Sequence, residues 1–341
     1  ERLSELLDGA EVKLAEDLDH VPDGEIVMLE NVRFEKGETK NDPELAKRYA
    51  ALADAYVNDA FGAAHRAHAS TEAVARVLPA YAGLLLEREL RVLGGLLADP
   101  ARPFLAIVGG AKVSSKIGVL RALVEKADAL AIGGGMANTF LSATGHGVGR
   151  SLRETDREGE ARAILERAKA RGTDVLLPGD VVTAPSVDES GAAAAEVHGI
   201  DEVPAQHAIV DVGPRTLEAI ARAVASAGTI FWNGPLGVFE IAAFAKGTRR
   251  VAQLLADAPR HVVTVVGGGE SVQAVRSLGL AARMTHLSTG GGAALELVEG
   301  KALPGVEAIP DRDLAGPPGD PSPLGRAPRD LAGPPGEEQR A

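Results

Sequence analysis

The residues best placed to do chemistry in this 341-residue chain are two lysines, Lys112 and Lys116, in the run FLAIVGGAKVSSK from Phe104 to Lys116. Phe104–Val108 has the length and composition of a buried strand, and Gly109-Gly110 breaks it. The stretch that follows is predicted to be a helix, over Ser114–Val124, opening with the two lysines on one face because they stand four apart. A glycine turn ahead of a helix brings bare backbone N–H groups and the positive helix end up to a ligand, the usual way to hold a phosphate. Three further clusters repeat the theme: Gly133-Gly134-Gly135, Gly267-Gly268-Gly269 and Gly290-Gly291-Gly292. One such pair is only a turn. Four of them imply a ligand whose oxygens need close backbone approach, a phosphate or a nucleotide.

Other candidates flank these loops. Trp232-Asn233-Gly234-Pro235-Leu236-Gly237-Val238-Phe239-Glu240 is a strand running into a rigid turn with an amide and a carboxylate. Glu240 reads equally as a ribose ligand or as a helix-start acid. Glu270, directly after a glycine cluster, could hold Mg²⁺, which takes oxygen ligands shared with phosphates. Arg33 and Arg66 each follow the end of a strand, where open α/β sheets collect ligands, although each alone reads as a solvated arginine. His65 and His68 stand three apart without a third ligand nearby, which favours a structural or anion-facing role over metal binding. The dehydrogenase fingerprint is unmet, since GGGMAN ends in Asn138 and GGGESV in Val272, and no P-loop or protein-kinase set occurs. Basic residues on one side and a nucleotide on the other point to phosphoryl transfer to or from a small anion.

These loops need a framework. Strands are predicted at Phe104–Val108, Ala129–Ile132, Asp174–Leu177, Ile230–Trp232 and Val262–Val266, with helices at Ser114–Val124, Arg157–Ala170, Thr216–Ala225 and Thr248–Leu255 between them. That alternation is the pattern of a doubly wound parallel α/β sheet. Upstream, Glu1–Leu7 reads as the tail of an amphipathic helix, Val12–Ala15, Ile26–Leu29 and Ala55–Val57 as short strands, and Pro43–Ala53 as a helix. Leu84–Leu97 carries seven leucines and reads as a helix covered on more than one side, as a connector between domains would be, or as an ordinary core helix. The composition is 45% hydrophobic and 25% charged, ordinary for a globular chain of two domains. A net charge of −12 argues against nucleic acid and acidic membrane surfaces as partners. The absence of cysteine rules out disulfides and thiolate metal sites and fits a reducing cytoplasm.

Five motifs together carry a resemblance. GGAKVSSK (109–116), GGGMANTFL (133–141), WNGPLGVFE (232–240), GGGES (267–271) and STGGGA (288–293) closely resemble the phosphoglycerate kinase family, in that order. LENVRF (29–34) and DAFGAAHRAHAS (59–70) are similar to its acid-side segments, and the likeness runs from Glu1 to about Val306. It implies two Rossmann-like doubly wound lobes joined by a hinge helix, with the phosphoryl group moving between 1,3-bisphosphoglycerate and MgADP to give 3-phosphoglycerate and MgATP. By position it places Arg33, His65 and Arg66 on the acid and Lys112, Gly269 and Gly292 at the transfer. Lys116, Gly134, Gly135, Gly213, Asn233, Glu240, Gly268, Gly269, Glu270 and Ser271 fall on the nucleotide, Gly213 in the adenosine pocket and Glu270 also on Mg²⁺. Leu84–Leu97 and Ser288–Ala293 become hinge candidates.

The resemblance also divides the chain: 1–83 as a partial acid-binding lobe, 84–98 as the interdomain helix, 99–293 as the nucleotide lobe, 294–310 as a return segment and 311–341 as a tail. The tail is Pro/Gly-rich, repeats DLAGPPG and is expected to be disordered. Family segments with D-F-N, a transfer arginine and S-H-L-G-R-P are absent, so the N-terminal lobe is expected to be incomplete and catalysis impaired or lost. A catalytically silent ADP/ATP-binding module is the alternative, and a dehydrogenase a distant third. Glu270 stands where the family has Asp, and Ala64 where it has Thr. The family points to a cytoplasmic monomer.

Overall fold

The structure, a computed structural model, describes residues 1–310, so the expectation for the tail at 311–341 lies outside the described residues. Helix α1 (Arg2–Leu6) leads to a parallel strand pair, β1 (Lys13–Ala15) and β2 (Val27–Leu29). Helix α2 (Pro43–Ala50) begins where the sequence supplies both start signals. The Asp42 carboxylate accepts the Glu44 N–H at 2.8 Å, and Pro43 takes the first helical position. A second parallel pair follows, β3 (Tyr56–Asn58) with β4 (Ala80–Ala82), and the two pairs remain separate sheets. Their central cross-strand neighbours face outward: Leu14 and Met28 are 53% and 42% exposed, Val57 and Tyr81 58% and 50%. This side therefore carries apolar surface at its strand centres.

Helix α3 (Leu84–Ala98) buries one stripe, Leu86, Glu89, Leu93 and Leu96, while Leu84 is 83% exposed. The leucine-rich helix is thus covered along one stripe rather than on several sides. Its first N–H groups are capped from a distant loop, since Asp59 Oδ1 accepts those of Leu85 and Leu86 at 2.7 and 3.0 Å.

The rest alternates. Strand β5 (Phe104–Val108), α4 (Ile117–Lys126), β6 (Ala129–Ile132), α5 (Gly134–Ala143), α6 (Glu158–Arg171) and β7 (Asp174–Leu176) come first. Three strands then form a separate sheet: β8 (Asp180–Ala184), β9 (Glu196–Gly199) and β10 (Ala208–Val212). After α7 (Pro214–Ser226) come β11 (Thr229–Asn233), α8 (Lys246–Asp257), β12 (Val263–Gly267), α9 (Gly269–Ser277) and β13 (His286–Leu287), and α10 (Gly292–Val298) and α11 (Pro304–Glu307) follow. The main sheet is six-stranded and wholly parallel, in the order β13-β12-β11-β5-β6-β7. Alternate residues of β5 enter two cores. Phe104, Ala106 and Val108 pack with α3, α4, α5 and α6, while Leu105 and Ile107 pack with α7, α8 and α9. A sheet buried on both faces explains why its strands read as continuous apolar runs. From β5 the chain winds first to one side and then, from β11, to the other, so the strand order reverses between these two. Ligands of doubly wound sheets collect at that point.

Three expectations need correction. Helix α4 starts at Ile117, with Lys116 at its N-cap and Lys112 in the preceding turn, so the two lysines do not share a helical face. Fully buried Val113 pins that turn to the core, which holds it out of helical geometry. The second lobe also contains the three-stranded sheet, antiparallel in register (β10 on β8, β8 on β9), which the parallel pattern does not foresee. Finally, α5, α9 and α10 start inside or beside glycine clusters that read only as loops.

Candidate active site

At the switch point the loops are laced together. Gly109 N–H donates to Asn233 O at 2.9 Å, Gly110 N–H to Pro235 O at 2.9 Å and Gly134 N–H to Leu236 O at 3.0 Å. A Cβ on Gly109 would lie 2.0 Å from Pro235 O, and one on Gly134, at φ +67°, 2.7 Å from Gly110 N. These glycines serve first to pack loop on loop. Gly269 and Gly291 differ, with nothing within 4 Å of a Cβ, so their backbones face open space. The latter kind leaves its whole backbone open to a ligand.

Lys116 sits beneath the laced loops. Its Nζ donates to Gly109 O at 2.7 Å, Asn233 Oδ1 at 2.7 Å and Asn233 O at 3.2 Å. Burial pushes the ammonium down to about 8, with the Glu270 carboxylate pulling the other way. Asn233 Nδ2 is buried without a partner, beside Gly267 and Gly268 where α9 begins. An unused donor, an ammonium and a helix N-terminus converge there, an arrangement that suits anionic oxygens. Ser271 is fully buried and its Oγ accepts the Gly234 N–H at 2.6 Å, bracing the WNGP turn from behind. Lys112 is exposed, and Ser115 Oγ donates to its carbonyl at 2.8 Å.

Beside this point lies a cavity of about 470 Å³ with mainly apolar walls, including Leu152, Val181, Val187, Leu236 and Val238. Gly134 and Gly135 line it, and Glu240, Glu270 and the buried Asp211 supply its carboxylates. Such a slot with few polar groups fits a flat heterocycle carrying hydroxyls and phosphates. Gly213 does not line it; a Cβ there would meet the Asp180 carboxylate at 2.3 Å, and the lining falls to its neighbours Asp211 and Val212. Asp211 escapes the sequence reading. Its carboxylate is buried, accepts Gly247 N–H at 2.7 Å and Val212 N–H at 2.9 Å, and is pushed up to about 7 by desolvation. Its place just before Gly213-Pro214 is the one sequence signal.

On the other side, His68 lies within electrostatic reach of Arg33, His65 and Arg66, so two guanidinium groups and two imidazoles are gathered there. Burial lowers the His68 imidazole, and Arg33, Arg66 and His65 add to that against the opposing pull of Glu38. Arg66 Nε donates to His65 Nε2 at 3.3 Å, which puts the imidazole proton on Nδ1, buried and without a partner. His65 also faces the last glycine cluster, its Nε2 3.3 Å from where a Gly292 Cβ would be. Phe61 closes the same seam, since a Cβ on Gly290 would meet its ring at 2.2 Å. Beneath the seam, Glu89 of α3 is fully buried. Its carboxylate lies 2.8 Å from His286 Nε2 and accepts the Thr289 N–H and hydroxyl at 2.6 and 2.8 Å. Burial pushes its pKa up, but the bonds from His286 and Thr289 outweigh it and hold the carboxyl below the ordinary range. An acid inside a leucine stripe was the available signal, and it passes unread among seven leucines.

The phosphoglycerate kinase family model matches residues 1–301. A curated phosphoglycerate kinase from Herpetosiphon aurantiacus is 54% identical over 289 residues, which is 85% of this chain and 72% of that protein. The chain belongs to the phosphoglycerate kinase family. Solved structures agree with this assignment. The phosphoglycerate kinase from Coxiella burnetii superposes with a TM-score of 0.81 at 44% identity, over 90% of this chain and 78% of that one. The one from Pyrococcus horikoshii gives 0.76 at 33% identity, over 90% and 80%. Two Rossmann-like lobes are therefore the fold of this phosphoglycerate kinase chain, with the antiparallel sheet an addition to its six-stranded parallel one. Among the described residues no helix is long and apolar enough to cross a membrane, and no group of three or more His, Cys, Asp or Glu is arranged to hold a metal ion.

Proposed function

We propose that the chain moves a phosphoryl group reversibly between 1,3-bisphosphoglycerate and MgADP, giving 3-phosphoglycerate and MgATP, a step of glycolysis in the cytoplasm by a monomer. The observation that carries this reading is the convergence at the β5/β11 switch point. There Lys116, the unused Asn233 donor and the start of α9 adjoin an apolar slot, and the His65–Arg66 cluster reaches Gly292 from the other side. The compact unit Glu1–Pro310 divides in this reading into an acid lobe (1–83), a connecting helix (84–98), a nucleotide lobe (99–293) and a return segment (294–310).

Phosphoryl transfer asks little covalent chemistry of a protein; it asks for in-line placement and fixed positive charge around the moving group. Arg33, Arg66 and His65 grip the acid's phosphate, while Lys116, Asn233 and the N–H groups at Gly268 and Gly269 hold the nucleotide phosphates. Glu240 takes the ribose, and Gly134 and Gly135 line the slot. Lys112, exposed at the end of its turn, meets the charge on the transferring group together with the backbone at Gly269 and Gly292. Glu270, one of the slot's carboxylates and in the first turn of α9, fits Mg²⁺, which binds through one or two carboxylates plus substrate phosphates. Bound there, Mg²⁺ would neutralise phosphate charge. Ser271 acts from behind by fixing the WNGP turn, and Gly213 by setting Asp211 and Val212 against the slot.

Nucleotide binding is the stronger half of this chain. The acid lobe consists of two separate strand pairs with exposed apolar centres, so we propose that turnover is impaired while ADP is still held. A coupled assay with 3-phosphoglycerate and MgATP tests the reaction. ADP release that requires the acid and falls in Arg66→Met supports it, and release indifferent to the acid overturns it.

A further inference from the structure

Glu154 has no part in the reading above, yet it touches the turn that carries Lys112. One carboxylate oxygen accepts the Ser114 N–H at 2.9 Å and the other the Ser114 hydroxyl at 2.5 Å. Glu154 is itself held from behind, its N–H donating to Thr139 Oγ1 on α5 at 3.0 Å, and Thr139 is buried. The short segment leading to it is pinned at three more points. Asn138 Nδ2 donates to Leu152 O at 3.1 Å, Ser151 Oγ accepts the Ile209 N–H from β10 at 2.8 Å, and Arg150 N–H donates to His207 O at 2.8 Å. Arg150 and Leu152 line the slot that the nucleotide reading assigns to adenosine. One segment of chain therefore forms a wall of the slot and ends on the Lys112 turn.

We propose that Glu154 is a positioning residue that fixes the Lys112 turn against α5 and the slot wall, so that the lysine stands ready when the slot is filled. The turn's other anchors are the buried Val113 side chain and, at its end, the Lys116 ammonium on Gly109 O and Asn233, and neither holds the Ser114 backbone as Glu154 does. Burial raises the Glu154 carboxyl, but Ser114, the Val113 N–H and the nearby Lys112 charge outweigh that and hold it below the ordinary carboxylate range. Glu154 acts through the turn and does not touch the phosphates. Its catalytic consequence rests on the proposed role of Lys112, while its hold on the turn does not.

The test has two arms. Amide hydrogen exchange on the full chain should rise about tenfold or more over 111–116 in Glu154→Ala and less in Glu154→Gln, which keeps one acceptor. Exchange in β5 and the middle of α4 and the affinity for ADP should change less than about twofold. Unchanged exchange over 111–116 would overturn the proposal, and so would a rise spread evenly through the lobe, which marks a general loss of stability. In the coupled assay, displacing a reacting group by an ångström costs up to about 10²-fold. Glu154→Ala should therefore lower kcat with little change in nucleotide KM, and should add no further loss in a Lys112→Met background. Multiplying losses in the double variant would contradict action through Lys112. Full activity in Lys112→Met would instead remove the role given to that lysine and leave the exchange arm to decide on Glu154.

Discussion

Glu89 is the residue whose removal should disturb the molecule most for one side chain. It is a fully buried carboxylate on α3 with bonds to His286 Nε2, the Thr289 N–H and the Thr289 hydroxyl, so it ties α3 to the segment before α10. In Glu89→Ala those groups lose their acceptor in a buried site. Each buried donor left without an acceptor costs about 1–3 kcal/mol, so about 3 kcal/mol or more is expected in all. Glu89→Gln keeps the shape and one acceptor, so roughly 1–2 kcal/mol is expected, the order of a net hydrogen bond. The chain has a single tryptophan, Trp232, buried in β11, which makes urea unfolding followed by its fluorescence a direct assay. Acid supplies a second reading. The folded pKa lies below the ordinary 4.5, so the carboxylate's contribution is complete above that pH and is lost as pH falls through the lower folded value. Wild type should therefore lose its advantage over Glu89→Ala only in that acid window. A loss under about 1 kcal/mol in Glu89→Ala, below the cost of a single unsatisfied buried donor, would refute the reasoning. Equal losses in Ala and Gln would refute it too.

Lys116 predicts a different pH window. Its folded pKa of about 8 lies below the usual 10.5, so the folded chain binds fewer protons than the unfolded one between those values, and stability should rise with pH there. ADP affinity should fall as pH passes about 8, and calorimetry on Lys116→Met should show that dependence flattened. Asp211 carries the opposite sign for a carboxyl. Raised to about 7 from 3.8, it contributes stability that is complete below 3.8 and lost as pH rises through about 7, so Asp211→Asn should flatten the melting temperature across that range. The two kinds of glycine separate cleanly. Gly109→Ala drives a methyl into Pro235 O and should cost about 1–3 kcal/mol or more. Gly269→Ala meets nothing within 4 Å, so its melting temperature should hold while ADP binding weakens.

Much of this was legible in the residues. Strands such as β5 and β11 announce themselves because burial on both faces makes every position apolar, and the glycine clusters mark the loops at the switch point. Helix starts inside those clusters were hidden, because Gly134, Gly269 and Gly292 are poor helix formers and α5, α9 and α10 owe their form to packing. The Lys112–Lys116 spacing misled for a related reason: buried Val113 holds the turn away from the helix that the four-residue spacing suggested. At the site, the sequence marked candidate ligand positions but not their supports. Glu89, Asp211 and Glu154 each act across long gaps in the chain, on Thr289, Gly247 and Ser114, and no local pattern records such contacts.

Calorimetric titration of the chain with ADP, with and without Mg²⁺, tests the central claim most directly. Saturable one-site binding that Mg²⁺ strengthens and Lys116→Met weakens is the predicted result. A chain folded by circular dichroism that binds no ADP would contradict the assignment of Lys116, Asn233 and the open glycines to a nucleotide.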